Sequence, residues 1–407
     1  MDNDQLSAEW RVERLGAVCE VIAGQSPQGK FYNDTGTGTP FYQGKKEFGD
    51  KFIRAPKKWT SHTTKMAYLN DILMSVRAPV GPINFTTQSL CIGRGLAAIR
   101  AGEVIDKDFL FYQLLSKQNE IKGNEGAVFA SINKAQIENL EISLPSLPEQ
   151  KRIVAILDEA FAGIRLAVAN AEKNLANARE LFESYLNNVF TQKGDGWKIT
   201  ELGNIIDVLT DYHANGSYKI LKQHVELKET EDFAWMVRST DFENNFKNRK
   251  RYISESAYNY LKKSKLFGGE IIMSKIGNAG KVYFMPYTDR PCSLAMNLFL
   301  IRLDDEKVSN EYVYRYLNSK SGKAQIAPML NGAATQTITK DSVRSILVPL
   351  PAKNIQIQIL RELELLEDET SLLESIYQQK LTALNKLKQS ILQKAFAGEL
   401  TQREENA

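Results

Sequence analysis

Two stretches of the chain repeat apolar residues on a 4,3 spacing. In the first, Leu157, Phe161, Ile164, Val168, Ala171, Leu175, Ala178, Phe182, Tyr185 and Val189 recur at that interval. In the second, Leu363, Leu366, Thr370, Leu373, Tyr377, Leu384, Leu387 and Ile391 form a comparable stripe, blurred near Lys380 and Leu381. A heptad stripe this long predicts a helix whose seam faces a partner helix. Each predicted helix runs about 38 residues, roughly 57 Å at 1.5 Å per residue. Stripes so narrow do not stand alone in water, so the two helices are expected to pair with each other. Ala171 and Ala178 would let the partner approach closely. The competing arrangement packs each helix on its own globular segment.

Ahead of each helix the pattern changes. Short β-branched and aromatic runs alternate with Gly, Pro, Asn and Asp, which predicts many short strands and loops. KDFLFYQLLSKQ (107–118) and NEYVYRYLNSK (310–320) read as short amphipathic helices, and LPSLPEQ (144–150) or LPAKNIQ (350–356) leads into each long helix.

These segments are copies. DILMSVRAPVGPINF (71–85) and EIIMSKIGNAGKVYF (270–284) align without a gap and share an acid, apolar positions, a Ser, a Gly and a final Phe. WRVERLGAVCEVI (10–22) matches WKITELGNIIDVL (197–209), and FLFYQLLS (109–116) matches YVYRYLNS (312–319). GAVFASINKAQIENLEISLP (126–145) matches GAATQTITKDSVRSILVPLP (332–351) at an offset of 206 that persists to Phe190 and Phe396. Five blocks in one order make the chain a tandem duplication of about 190–200 residues. The fold class is therefore α+β: two mixed α/β segments alternating with two long helices. The expected divisions are residues 1–147, the helix at 148–192, residues 193–353, and a helix with its tail at 354–407.

Composition narrows the class. With 407 residues, 43% hydrophobic and 25% charged, the chain reads as a multi-domain globular protein. The acidic, polar start MDNDQLSAEW is not expected to be a targeting peptide, and no apolar run approaches the roughly 18–20 residues of a membrane span. Cys19, Cys91 and Cys292 lie far apart with no CxxC, which argues against a zinc ribbon or a secreted disulfide scaffold. A cytoplasmic protein is expected.

The formal net charge is only +3, so any nucleic-acid reading must rest on local patches. Two exist in equivalent slots ahead of the repeated hairpin. The first holds Lys45, Lys46, Lys51, Arg54, Lys57, Lys58 and Lys65 among Phe48, Phe52 and Trp59. The second holds Lys247, Arg249, Lys250, Arg251, Lys262, Lys263 and Lys265 among Tyr252, Tyr258 and Tyr260. One charge run is usually a solvated face, whereas two in matching slots are better explained by phosphate contacts. The loops that follow disagree between the copies: VRAPV against KIGNA, and CIGRGL against LAMNLF. One scaffold with unlike polar loops suits two sites that read different base edges.

Motifs for covalent chemistry are not found. GNAGK (277–281) has the wrong spacing for a phosphate loop, TGTGTP (35–40) reads as a flexible loop, and His62, His213 and His224 do not recur between copies. No catalytic or metal site is expected, and no cofactor.

This pattern resembles the specificity subunits of Type I restriction–modification systems over essentially the whole chain. The resemblance rests on DILMSVRAPVG, CIGRGLAAIR, LPSLPEQKRIVAILD and LKQSILQKAFAGEL. It implies two target-recognition domains, each reading one half of an asymmetric bipartite sequence in double-stranded DNA, and two long helices paired as an antiparallel coiled coil. The helices would set the unspecified spacer and dock methyltransferase subunits, two per chain, which endonuclease subunits join. The chain itself would be non-catalytic; adenine methylation and ATP-dependent cleavage would belong to partners using S-adenosylmethionine, ATP and Mg. Two such domains could reach one duplex face about one helical turn, roughly 34 Å, apart. By position, Arg77 and Arg94 in the first domain and Lys275, Asn278 and Lys281 in the second are the candidate base readers. The competing role for Arg94 and Asn278 is to satisfy loop backbone groups.

One departure stands out. The first helix begins Pro148-Glu149-Gln150, whereas the second has Asn354-Ile355-Gln356 and keeps only the Gln. Two other classes compete with the recognition subunit. An enzyme with an unrecognised nucleic-acid-modifying site would turn DNA over without partners. A coiled-coil scaffold for other proteins would bind DNA only weakly and without steep salt dependence.

Overall fold

A computed structural model describes residues 10–118, 121, 131–192, 196–333 and 335–400. The polar start, residues 126–130 of one repeat block and Ala334 of its copy lie outside them. The chain forms two compact units, one of Met1–Glu172 with Gln378–Ala407 and one of Lys173–Tyr377.

In the first unit a four-stranded antiparallel sheet has the order Cys19–Ala23, Leu96–Ala101, Ile72–Ser75, Ile83–Phe85. In the second unit the order is Ile206–Asp211, Leu298–Leu303, Ile271–Ser274, Val282–Phe284. The duplicated sequence is thus a duplicated hairpin in identical register: Ile72 faces Phe85 as Ile271 faces Phe284, and Met74 faces Ile83 as Met273 faces Val282. Its first strand reads as an uninterrupted apolar run because both faces are covered. Ile72 and Met74 point into one core and Leu73 into another; Ile271 and Met273 do the same opposite Ile272.

The second core of each unit lies under another sheet. In both, a parallel pair is flanked by a short antiparallel strand. Thr39–Tyr42 pairs parallel with Leu90–Ile92, and Ala234–Val237 with Cys292–Leu294. Met66–Ala67 and Lys265–Leu266 are the flanking strands.

The shared acid of the hairpin has a structural task. Asp71 is buried and accepts from Arg100 Nε and Nη2, both at 2.9 Å. Glu270 is buried and accepts from Arg302 Nη2 at 3.0 Å. A neighbouring cation is what allows a carboxylate at such depth.

The retained glutamine explains itself as well. Gln150 Oε1 accepts from Asp106 N at 2.7 Å, while Nε2 donates to the carbonyls of Val104 at 3.1 Å and Pro145 at 2.9 Å. Gln356 repeats the arrangement with Ser309 N, Lys307 O and Pro351 O. Both amides are fully buried. Glu149, by contrast, pairs with Arg152 at 3.9 Å and is no part of that anchor, so its loss from the second copy leaves the anchor intact.

The long helices run Leu147–Thr191 and Lys353–Phe396, 45 and 44 residues. In the first unit Leu157, Phe161 and Ile164 share a core with Leu392 and Ala395, and Val168, Leu384 and Ile391 pack against it. In the second unit Leu186 and Phe190 meet Ile359 and Leu363, with Phe182 packed alongside. There Arg179 pairs with Glu374 at 2.9 Å and Tyr185 with Glu362 at 2.8 Å, so the helices run antiparallel. Each domain also packs on the adjoining helix, so the two arrangements weighed from sequence coexist. Ala171 and Ala178 are buried. Leu175, Leu366 and Tyr377 are half-buried.

Two expectations are corrected. Leu373 is 37% exposed and Leu387 48%, because the seam steps onto Glu374 and Lys388 one position later. Lys388 places its Nζ over the Phe161 ring, 5.3 Å from the centroid, a cation–π contact that an apolar pattern does not show. The helix Lys107–Ser116 is not amphipathic but buried from Phe109 to Leu114. Phe111 stacks on Phe85 of the sheet, and Tyr112 meets Phe161 of the long helix edge to face. Its counterpart Asn310–Asn318 has an apolar face formed by Tyr312, Val313, Tyr316 and Leu317.

Candidate nucleic-acid interface

In the first domain the backbone gathers four loops at one end of the sheets. The Gly95 carbonyl accepts from Val76 N at 3.0 Å, Gly93 N donates to Tyr42 O at 2.8 Å, and Arg94 N donates to Ser26 Oγ at 3.2 Å. Gly95 must be glycine because a Cβ would sit 2.3 Å from the Gln43 carbonyl. The loops carrying Gln43, Arg94 and Arg77 are therefore neighbours, and all three side chains are exposed. Phe41 N donates to Lys58 O and Ile92 N to Lys65 O, both at 2.9 Å, which ties the lysine-bearing segments to the parallel strand pair. A cleft of about 550 Å³ opens there, lined by Gln43, Lys46, Lys57 and Lys58.

Lys45, Lys46, Arg54, Lys57, Lys58 and Lys65 are all exposed, and only Lys58 has a carboxylate partner among the described residues, Asp34 at 3.2 Å. Lys51 turns inward instead. It bonds Asp108 at 3.0 Å and Asp158 at 3.2 Å and lies over the Tyr112 ring, so it belongs to the packing of the domain.

The second domain repeats the layout with different electrostatics. Lys275 N donates to Asn297 O at 2.7 Å, as Val76 does to Gly95, and Ala295 N to Val237 O at 2.9 Å. Lys275 Nζ is held by Asp211 Oδ2 at 2.9 Å. Asp211 Oδ1 caps the turn Tyr212–Asn215, and Asn215 Oδ1 in turn accepts from Lys263 N at 2.8 Å. The exposed Lys262 and Lys263 are thus linked to the hairpin loop through one turn.

Asn278 Nδ2 and Lys281 Nζ both reach Glu243 Oε1, at 3.0 and 3.2 Å, and Tyr283 O–H donates to the same atom at 3.0 Å. Lys281, then Asn278 and Tyr283, hold the Glu243 carboxyl below its usual range; burial, then Glu243, push the Tyr283 phenol up. Arg249 and Arg251 share Glu229, and Lys250 sits 4.6 Å over the Trp235 ring. Lys247 is exposed, with no carboxylate partner among the described residues.

A second cleft, about 440 Å³, is lined by Asn278, Gly280, Lys281, Lys323 and Gln336. Gln43, Glu243, Lys323 and Gln336 did not emerge from the sequence. A search for clustered cations discounts an acid inside the cluster and a lone polar residue outside it.

Among the described residues no group of His, Cys, Asp or Glu is set to hold a metal, and no helix is long and apolar enough to cross a membrane.

Comparison with known proteins places this architecture. A family model described as "Type I restriction modification DNA specificity domain" matches twice, over residues 7–174 and 194–383. The putative type I restriction enzyme MjaX specificity subunit of Methanocaldococcus jannaschii is 44% identical over 154 residues, which span 37% of this chain and 36% of that one. The MjaVIII specificity subunit of the same organism is 21% identical over 364 residues, 84% of this chain and 82% of its own. The HsdS subunit structure from Thermoanaerobacter tengcongensis has a TM-score of 0.59 at 20% identity and covers 97% of this chain and 98% of that one. A structure described as concerning complex assembly and conformational transition of the type I R-M system reaches 0.75 at 19% identity, covering 97% and 99%. At such identities the likeness is one of fold. The chain belongs to the type I restriction modification DNA specificity domain family, with two copies of the domain, and its class is that of the type I specificity subunit.

Proposed function

We propose that the two domains each read one half of an asymmetric bipartite DNA target while the paired helices hold the spacer. The observation that carries this is a duplicated frame with unlike polar residues: hairpins of identical register bear Arg77 in one copy and Asn278 and Lys281 in the other, beside Gln43 and Arg94 on neighbouring loops of the first domain and Glu243 at a helix end of the second. Arg suits guanine, and Asn or Gln suits adenine, in the major groove. Lys45, Lys46, Arg54, Lys57, Lys58 and Lys65 in one domain, and Lys247 with Lys262 and Lys263 in the other, would hold phosphates. Arg249, Lys250 and Arg251 carry partners already and would contribute less.

The chain supplies the address and no chemistry. Methylation and ATP-dependent cleavage fall to methyltransferase and endonuclease subunits, which bring S-adenosylmethionine, ATP and Mg. Two methyltransferase subunits per chain would dock on the long helices. The support is a set of exposed apolar side chains outside the seam: Leu365, Leu372 and Ile376 on one helix, Leu166 and Leu181 on the other.

Exchanging residues 10–145 for the matching segment of another family member tests the reading. One half of the recognised sequence should change and the other stay. A change in both halves, or in neither, contradicts it.

A further inference from the structure

Glu243 is an anomaly in a surface built to meet DNA. It ends the helix Ser239–Glu243, directly before Asn244, Asn245, Phe246 and Lys247. A carboxylate beside cations that face phosphates weakens the backbone contact, so the position calls for another use.

The geometry fixes the side chain. Asn278, Lys281 and Tyr283 all donate to Oε1, and Oε2 has no partner among the described residues. The turn that follows is held in an unusual conformation: Asn245 has φ 46° and Phe246 φ 57°. Non-glycine residues rarely adopt that region, and such strain persists only where surrounding contacts enforce it. Here Phe246 is clamped edge to face by Trp235 at 5.2 Å and Phe242 at 5.1 Å, with its N–H on Asp241 O at 2.7 Å. The helix end is therefore rigidly placed, and it reaches across to the tip of the recognition hairpin.

Resting on the recognition role proposed above, we infer that Glu243 is a specificity-determining residue of the second domain, whose free carboxylate oxygen accepts the exocyclic amino group of a cytosine. In the major groove a carboxylate pairs with the cytosine N4 donor, while guanine and thymine present acceptors that would repel it. Asn278, Lys281 and Tyr283 are positioning residues: they orient the carboxylate, and Lys281 offsets its charge against the phosphates.

The test begins with the chain co-purified with its methyltransferase and a random duplex pool, which gives the wild-type sequence. Failure to find any consensus would count against the recognition role itself. Given a two-block consensus, duplexes with each cytosine of either block replaced singly are competed against wild-type Glu243, Glu243→Gln and Glu243→Ala. The wild-type chain should discriminate roughly tenfold or more at one cytosine of the second block. Glu243→Ala should lose that discrimination, Glu243→Gln should shift it toward adenine, and all other positions should be unchanged. The first block serves as the folding control in the same tube. Equal discrimination at every position in all three proteins would overturn the inference, as would loss of both blocks together.

Discussion

Gln150 and Gln356 show how much a single residue can organise. Each makes three hydrogen bonds at the start of a long helix, two to a loop more than 40 positions earlier in the chain and the third to a proline carbonyl five positions earlier. Gln150→Ala would leave one N–H and two carbonyls of the buried junction unsatisfied, costing about 2–3 kcal/mol. Chemical unfolding should show that loss while the sequence preference of the surviving folded protein stays the same. Asp108 makes a separate prediction. Burial raises its carboxyl, but Lys107 and Lys51 outweigh burial and hold it below the ordinary 3.8. A carboxyl depressed on folding stabilises above its unfolded value and loses that contribution as pH falls through its folded one. Asp108→Asn should therefore be less stable than the parent at neutral pH, and the gap should close below the ordinary 3.8. A gap that persists into acid would show that the cost is packing alone.

At the scale of elements, the helices and the hairpin were legible because their signals are local: a 4,3 stripe, and an acid-apolar-Ser frame ending in Gly and Phe. The seam position at Leu373 was misread because the true contact uses Glu374, whose partner Arg179 lies on another helix. The short strands under the second core carry two to four residues each, too few for a period to declare itself. The Gly95 loop yields a sharp expectation. Gly95→Ala must displace the Gln43 backbone, which should damage the first half of the target and spare the second. If site selection showed both halves intact, the loop cluster would not be the reading surface. For the helices, inserting one heptad after Ala178 and another after Thr370 preserves the seam and adds about 10 Å. At about 3.4 Å per base pair, the spacer should lengthen by about three base pairs. An unchanged spacer would refute the ruler.

For the whole molecule, the duplication was readable from five aligned blocks, and with it the family. The electrostatic inequality of the two domains was not. Both patches look equally basic as strings, yet Arg249 and Arg251, like Lys275 and Lys281 of the hairpin that follows, meet carboxylates in the fold, while Lys45, Lys46, Lys57 and Lys65 have no carboxylate partner among the described residues. Substituting Lys57 and Lys58 together should flatten the salt dependence of DNA binding more than substituting Arg249 and Arg251, with sequence preference untouched in both. Titrations at several salt concentrations would check this; equal slopes would mean the ion pairs open on DNA.

The central claim is that one chain carries two readers. Selection of binding sites from random duplex DNA, with the chain bound to its methyltransferase partner, tests it most directly. Two unlike short blocks separated by a fixed unspecified gap are the predicted result. A single block, or no consensus, would contradict it.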